Sequence, residues 1–248
     1  MSTKYIYTFG VIMTVVVALV LAGFRTMTAE QAAINEDIFN KREILATVAE
    51  PMAQADRPID ELTDAEVLEV FKNNVQQIFV NANGEAAEDV NTTTFDLAKE
   101  YKKPVEQRVY PVYVFDLDGN QYYVFSVRGN GLWDAIWGNI ALASDLNTVT
   151  GASFDHAGET PGLGAEIKDN AGWKAQFRGK KIYDGNEFVS IIVRKGGAVD
   201  QEHEVDGLSG ATVTGDGVTK MLYNGLKAYE PYIEEQRAGG ASTSMNLK

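Results

Sequence analysis

Residues 109–127 read VYPVYVFDLDGNQYYVFSV: two valine- and aromatic-rich runs, 109–115 and 121–127, on either side of Asp116-Leu117-Asp118-Gly119-Asn120. β-Branched and aromatic side chains suit a pleated, half-buried surface, and a short Gly-containing loop closes two such runs into an antiparallel hairpin. Further strand candidates follow at 140–142, 148–154, 175–177 and 188–193, separated by Gly-rich turns. A last helix is expected from about residue 215 to 229, with Val218, Met221, Leu222 and Leu226 facing inward. Beyond it, 233–248, with its Gly239-Gly240-Ala241-Ser242-Thr243-Ser244 run, reads as a flexible tail.

Upstream of the hairpin the period is helical. Thr63-Asp64-Ala65-Glu66 is a capping box that opens a helix expected to reach about residue 80, with Val67, Val70, Phe71, Val75 and Phe79 on one stripe. Residues 51–62 read as a loop. Before them, 29–50 places Ile34, Ile38, Ile44, Leu45 and Val48 at helical spacing. The chain starts with a different kind of segment. Residues 5–24, YIYTFGVIMTVVVALVLAGF, form a run of 20 without a charge, 16 of them apolar. Such a helix is about 30 Å long, the thickness of a bilayer's hydrocarbon core. Lys4 and Arg25 bracket it, and Tyr5, Tyr7 and Phe24 sit at its ends. The run exceeds the h-region of a cleaved signal peptide, so an uncleaved anchor is expected. Phe24 follows Leu21-Ala22-Gly23 where a lipoprotein needs Cys. The flanking charges, Lys4 against Arg25, Lys41 and Arg42, leave the orientation open.

The expected fold is therefore α+β: a single N-terminal transmembrane helix, a helical stalk, then a mainly antiparallel sheet with a C-terminal helix. The boundaries read as an anchor over 1–28, a stalk and start of the soluble part over 29–90, a main domain over 91–232, and the tail.

Composition removes several chemistries. With no Cys among 248 residues, iron–sulfur ligation, disulfides, thiol catalysis and thioether-linked haem are excluded. The two histidines, His156 and His203, lie far apart and argue against a His-rich metal site; no metal ligand is expected. A net charge of −13 argues against a nucleic-acid partner.

Three segments carry chemistry. Asp206-Gly207-Leu208-Ser209-Gly210-Ala211-Thr212-Val213-Thr214 is a turn of small residues just ahead of a helix. Free N–H groups and the helix dipole make such a place an anion site, and Ser209, Thr212 and Thr214 add hydroxyls. A plain polar turn with Thr214 as helix cap is the alternative. His156-Ala157-Gly158-Glu159-Thr160-Pro161-Gly162-Leu163-Gly164 reads as a rigid loop against which a flat ligand fits, Leu163 on a ring and Thr160 on its polar edge, or as a tight turn in which His156 and Glu159 satisfy each other. Trp133 and Trp137, four residues apart, suit one face of a helical turn, packed on a ligand, a partner subunit or the core. Lys195, in Arg194-Lys195-Gly196-Gly197, is placed to neutralise a phosphate or to end a strand.

Asp206-x-x-Ser209-Gly210-Ala211-Thr212 resembles the flavinylation signal of the FMN-binding domain family, and 156–164 resembles the loop beside the isoalloxazine in that family. The stretch 127–164, with Gly129-Asn130-Gly131-Leu132-Trp133, is similar to the NqrC family, the flavin-bearing subunits of the sodium-translocating NADH:quinone oxidoreductases. The resemblance implies FMN joined by a phosphoester to Thr212, with Asp206, Ser209 and Gly210 as recognition positions and Thr214 as a further motif threonine. His156, Glu159, Thr160, Leu163, Gly164, Trp133, Trp137, Ala211 and Lys195 are the other cofactor-binding candidates. It implies a redox relay without a complete active site in this chain, placed in the bacterial cytoplasmic membrane with the FMN domain outside. Its partners would be the other subunits of the complex and, during maturation, a flavin transferase. Three other readings stand beside it: the related flavinylated subunit of the Rnf ferredoxin:NAD complex, a membrane-anchored module that binds a phosphate ligand without redox chemistry, and a purely structural component acting through its Trp face.

Overall fold

A computed structural model of the chain describes residues 2–55, 58–92 and 94–245. The chain divides into two units, the first ending at Lys41 and the second starting at Arg42. Helix α1 (Thr3–Ala46) makes up the first unit and lends its last residues to the second. Among the described residues it is the one helix long and apolar enough to cross a membrane. Every side chain from residue 2 to 27 is exposed. Thr8, Thr14 and Thr26 return their hydroxyls to the carbonyls of Lys4, Gly10 and Ala22, at 2.9 Å each. No polar group of theirs would face lipid unpaired.

The second unit continues with α2 (Ala49–Gln54), α3 (Asp64–Asn74), β1 (Val75–Asn81), α4 (Leu97–Glu100), β2 (Val109–Leu117), β3 (Asn120–Asn130), β4 (Ala135–Leu142) and β5 (Val149–His156). Then come α5 (Glu166–Asp169), α6 (Ala171–Ala175), β6 (Tyr183–Asp184), β7 (Glu187–Phe188), β8 (Ile192–Arg194), β9 (Glu204–Asp206) and α7 (Thr212–Met245). Strands β1 to β5 form one antiparallel meander in chain order. The hairpin expected over 109–127 is β2–β3. Asp118 and Gly119 both take positive φ (51° and 85°), the twist-matched two-residue reversal that an Asp-Gly pair favours.

The capping box forms as expected: the Thr63 hydroxyl accepts from the Glu66 N–H, and the Glu66 carboxylate accepts from the Thr63 N–H at 2.7 Å. The helix it opens is shorter than expected. It stops at Asn74, and Val75 and Phe79 stand on the edge strand β1, paired with Phe115 and Pro111 of β2. A spacing of four fits both a helix and a strand period, and pairing with β2 decides. Residues 175–177 are likewise not a strand. Asn170 caps α6 by accepting from the Trp173 N–H at 2.9 Å, and Trp173 and Phe177 pack as a trio with Phe154. The 188–193 candidate splits between β7 and β8 around Ser190 (φ 62°), and β8 pairs with β9 in parallel.

The sheet buries both faces. One carries Phe115, Leu117, Val124 and Ala141 against Ile44, Leu45, Val48, Met52 and Val67. The other carries Phe125, Val127, Ile136 and Ile140 against α7, whose Val218, Met221, Leu222 and Leu226 face inward as expected. Helix and strand approach closely because side chains are missing at the contact. A Cβ on Gly217 would stand 2.5 Å from the Asn130 carbonyl oxygen, and one on Gly225 would stand 2.6 Å from Val127. Helix α7 also exceeds expectation at both ends. It starts at Thr212, and it runs through Pro231 with Tyr232 and Ile233 buried, because apolar residues continue at helical spacing from Leu226 and Tyr229. Residues 246–248 of the expected tail lie outside the described residues.

Candidate functional site

Asp206 ends β9 and is held on three sides. Its carbonyl accepts from the Trp173 indole N–H at 2.7 Å, its N–H donates to the Gln176 side chain at 2.9 Å, and its carboxylate accepts from the Ala198 N–H at 2.7 Å. The chain then turns through Gly210, which takes φ 72°, an ordinary value for glycine and a strained one for other residues. The Ala211 carbonyl accepts from the Gly215 N–H at 2.9 Å, so Ala211 stands at the N-cap of α7. Its methyl group cannot accept a hydrogen bond, and the first turn contains no acidic residue. The start of this helix is therefore left without the usual side-chain cap, and exposed Thr212 is its first residue. That arrangement attracts an anion.

A cavity of about 520 Å³ opens here, between the 195–197 turn, the 206–212 turn and the first turn of α7. Asp206, Ser209, Gly210, Ala211 and Thr212 line it. Among the described residues Lys195 is the one cation on its wall; Asp216 supplies a second acid beside Asp206. The 195–197 turn is anchored by the neighbouring pair. Arg194 grips the buried Glu204 carboxylate with two nitrogens, and the Val199 and Asp200 N–H groups donate to the same carboxylate at 2.9 and 3.1 Å. The Arg194 hydrogen bonds, ahead of the burial that opposes them, hold the Glu204 carboxyl at a pKa of about 2.

The 156–164 loop lies against the same helix start. The Leu163 side chain covers Gly210: a Cβ there would stand 2.6 Å from it. Glu159 turns inward and is buried. Its carboxylate accepts from the Trp133 N–H at 3.0 Å and from the Thr214 hydroxyl at 2.7 Å. Burial pushes this carboxyl up, but the backbone N–H groups of Trp133, Leu132 and Asp134 and the Thr214 hydroxyl outweigh it and hold the pKa below its ordinary value. His156 accepts at Nδ1 from the Glu159 N–H at 3.1 Å, so the two residues meet through the backbone while the carboxylate goes elsewhere. Thr214 is buried on this hydrogen bond and is not the helix cap. Gly164 serves by leaving room, since a Cβ there would collide with the Glu159 carboxylate and the Thr214 hydroxyl.

Trp133 and Trp137 do not share a helical turn. Trp133 stands in the turn before β4, 70% exposed, with its indole N–H donating to the Thr160 hydroxyl at 3.2 Å. Trp137 lies within β4, paired with Arg128, one register step from the Ile136–Gly129 pair that faces α7. It therefore points to the opposite face of the sheet, with the Arg128 guanidinium 5.2 Å from its ring. His203 is also apart, against Asp200 at 2.9 Å. Of the remaining candidates, Lys195, Asp206, Ser209, Gly210 and Ala211 share the cavity wall with Thr212, and Leu163 packs over Gly210. Trp133, Leu132, Leu163 and Val213 are all exposed apolar side chains in these segments. Sequence reasoning missed Trp173, Gln176, Glu204 and Asp216; the Asn170 cap was the one local signal for the helix carrying Trp173.

A ligand with a phosphate at one end and a flat, largely apolar ring at the other suits these residues: an uncapped helix start with Thr212 and Lys195 for the first, and exposed Trp133, Leu163 and Val213 for the second. FMN has that form. The sequence model of the FMN-binding domain matches residues 131–227. The NqrC subunit of the Na(+)-translocating NADH-quinone reductase of Vibrio vulnificus strain YJ016 is 47% identical over 120 residues, so the match spans about half of that relative's length (47%) and 47% of this chain. The corresponding subunit of Pasteurella multocida is 33% identical over 197 residues, covering 71% of this chain and 75% of that one. The crystal structure of the same subunit from Parabacteroides distasonis matches with a TM-score of 0.69 at 36% identity, over 81% of this chain and 94% of that one. The structure of Shewanella oneidensis NqrC matches with a TM-score of 0.67 at 27% identity, over 80% and 99%.

Proposed function

The chain belongs to the NqrC family of the Na(+)-translocating NADH-quinone reductases, and from that premise we propose that it is a membrane-anchored carrier of covalent FMN that relays electrons within such a complex. The observation that carries this reading is the place of Thr212: exposed on the first turn of an uncapped helix, on the rim of the cavity, inside the stretch that matches the FMN-binding domain.

In this reading the Thr212 hydroxyl oxygen forms a bond to the flavin-side phosphorus of FAD on a flavin transferase. The phosphoanhydride bond breaks, AMP leaves, and the threonine proton is lost to the medium. Bound FMN supplies reversible electron uptake and release. The chain's own groups hold it. The helix start and Lys195 meet the phosphoester charge, Ser209 and Asp206 shape the turn that the transferase reads, and Trp133, Leu163 and Val213 support the ring. A covalent link removes the dissociation equilibrium, which matters for a domain outside the cytoplasm with no flavin pool to refill it. Helix α1 anchors the chain, with the sheet domain on the extracytoplasmic side. No acidic or basic residue interrupts residues 5–24, so ion transport falls to other subunits.

Intact-mass measurement of the denatured full-length chain, made with an active flavin transferase, tests the proposal. An increment of FMN minus water, mapped to the peptide holding Thr212, is the expected result. No increment, with the transferase active on a control substrate, overturns it and leaves a phosphate-binding module without redox chemistry.

A further inference from the structure

Glu159 does not line the cavity beside Thr212, yet its carboxylate is closely held. It is 5% exposed, and its partners among the described residues are neutral: the backbone N–H groups of 132–134 and the Thr214 hydroxyl. A buried carboxylate is tolerated only where its lone pairs are met, and here donors from two separate segments meet them. Its seat is cut from two further positions. A Cβ on Gly131 or on Gly164 would collide with its oxygens. The carboxylate thus joins the Trp133 turn, the Leu163 loop and the first turn of α7, two residues from Thr212. It also leaves an anion in the interior whose hydrogen-bond partners, among the described residues, include no cation.

Resting on the flavin-carrier reading above, we propose that Glu159 is a positioning residue: it clamps the Trp133 and Leu163 surfaces to the helix turn bearing Thr212, and its unbalanced charge keeps the potential of the flavin held there low. The sign follows from electrostatics. Reduction adds negative charge to the ring, and a fixed anion that accepts from the backbone of Trp133, one of the side chains proposed to support that ring, opposes it. The clamp follows from geometry, because the same two oxygens accept from Trp133 and from Thr214.

Two near-isosteric variants separate charge from structure. Glu159→Gln removes the charge and one of the ties. Thr214→Val removes the tie to α7 and keeps the charge. In the full-length, flavinylated chain the FMN midpoint potential is expected to shift upward in Glu159→Gln and not upward in Thr214→Val. Equal shifts in the two, or an unshifted Glu159→Gln, overturn the charge role. The clamp is read in the flavin-free full-length chain with 15N-labelled tryptophan. Of the three tryptophans, Trp133 alone is expected to move its backbone amide resonance in Thr214→Val. An unmoved Trp133 amide overturns the clamp even if Glu159→Gln fails to fold. Absence of covalent FMN from the wild-type chain overturns the functional reading instead, and the Trp133 resonance then decides the clamp by itself.

Discussion

The indole N–H of Trp173 donates to the carbonyl oxygen of Asp206 at 2.7 Å, tying a short helix to the first residue of the turn that leads to Thr212. Trp173 is buried against Phe154 and Phe177, so the donor is held rigidly. Trp173→Phe keeps an aromatic ring there and removes the hydrogen bond. The expected cost is about 0.5–1.5 kcal/mol, the net worth of one hydrogen bond to a residue that still reaches solvent. Chemical denaturation of the full-length chain in detergent checks this. Covalent FMN yield is expected to fall with it, because the 206–212 turn loses one of its three fixings.

Thr212→Val is a nearly isosteric change at an exposed position. Stability is expected to stay within about 0.5 kcal/mol of wild type, while the FMN mass increment disappears completely. A variant that keeps a full equivalent of flavin through denaturing gel filtration would place the acceptor elsewhere.

Arg194 and Glu204 give a pH signature. The Glu204 pKa in the folded chain is about 2, below the ordinary 4.5. A carboxyl depressed by folding adds stability that is fully present above about pH 4.5 and is lost as pH falls toward about 2. Glu204→Gln removes that contribution. The stability gap between wild type and Glu204→Gln, from urea unfolding at several pH values, is therefore expected to be constant above pH 4.5 and to narrow below it. A gap that widens on acidification contradicts this account.

Gly217 admits no side chain against Asn130. Gly217→Val is expected to push α7 off β3 at a cost of about 1–3 kcal/mol. Because the same helix carries Thr212, flavin yield is expected to drop more than in a substitution on the exposed face of α7, such as Lys220→Ala. Mass spectrometry and denaturation measured together separate the two effects.

Sidedness has a direct test. Protease added to intact spheroplasts is expected to digest the sheet domain and leave a membrane-bound fragment containing 5–24. Full protection would put the domain in the cytoplasm.

Local signals were legible and distant pairings were not. The Thr63–Glu66 box and the Asp118-Gly119 reversal each complete their geometry within four residues, so sequence alone reveals them. Val75 and Phe79 misled because their spacing suits two periods, and the choice rests on β2, more than 30 residues on. Trp133 and Trp137 have helical spacing, but they fall on either side of the point where the turn enters β4. The motifs name most of the residues that line the cavity beside Thr212, yet the bond from Thr214 to Glu159 spans 55 residues, and no local pattern encodes it. Trp173 and Gln176 were overlooked for the same reason: their partner Asp206 lies about 30 residues away.

The FMN-binding match starts at Gly131, in the turn between β3 and β4. That boundary cuts through the middle of the sheet. A fragment excised at 131–227 would expose the whole ladder side of β4 that pairs with β3, and would strip α7 of the strand it lies on. Unpaired strands of that length recruit other chains. Such a fragment is expected to aggregate, and a transplantable flavin carrier made from this protein would have to begin no later than Arg42, where the second compact unit starts.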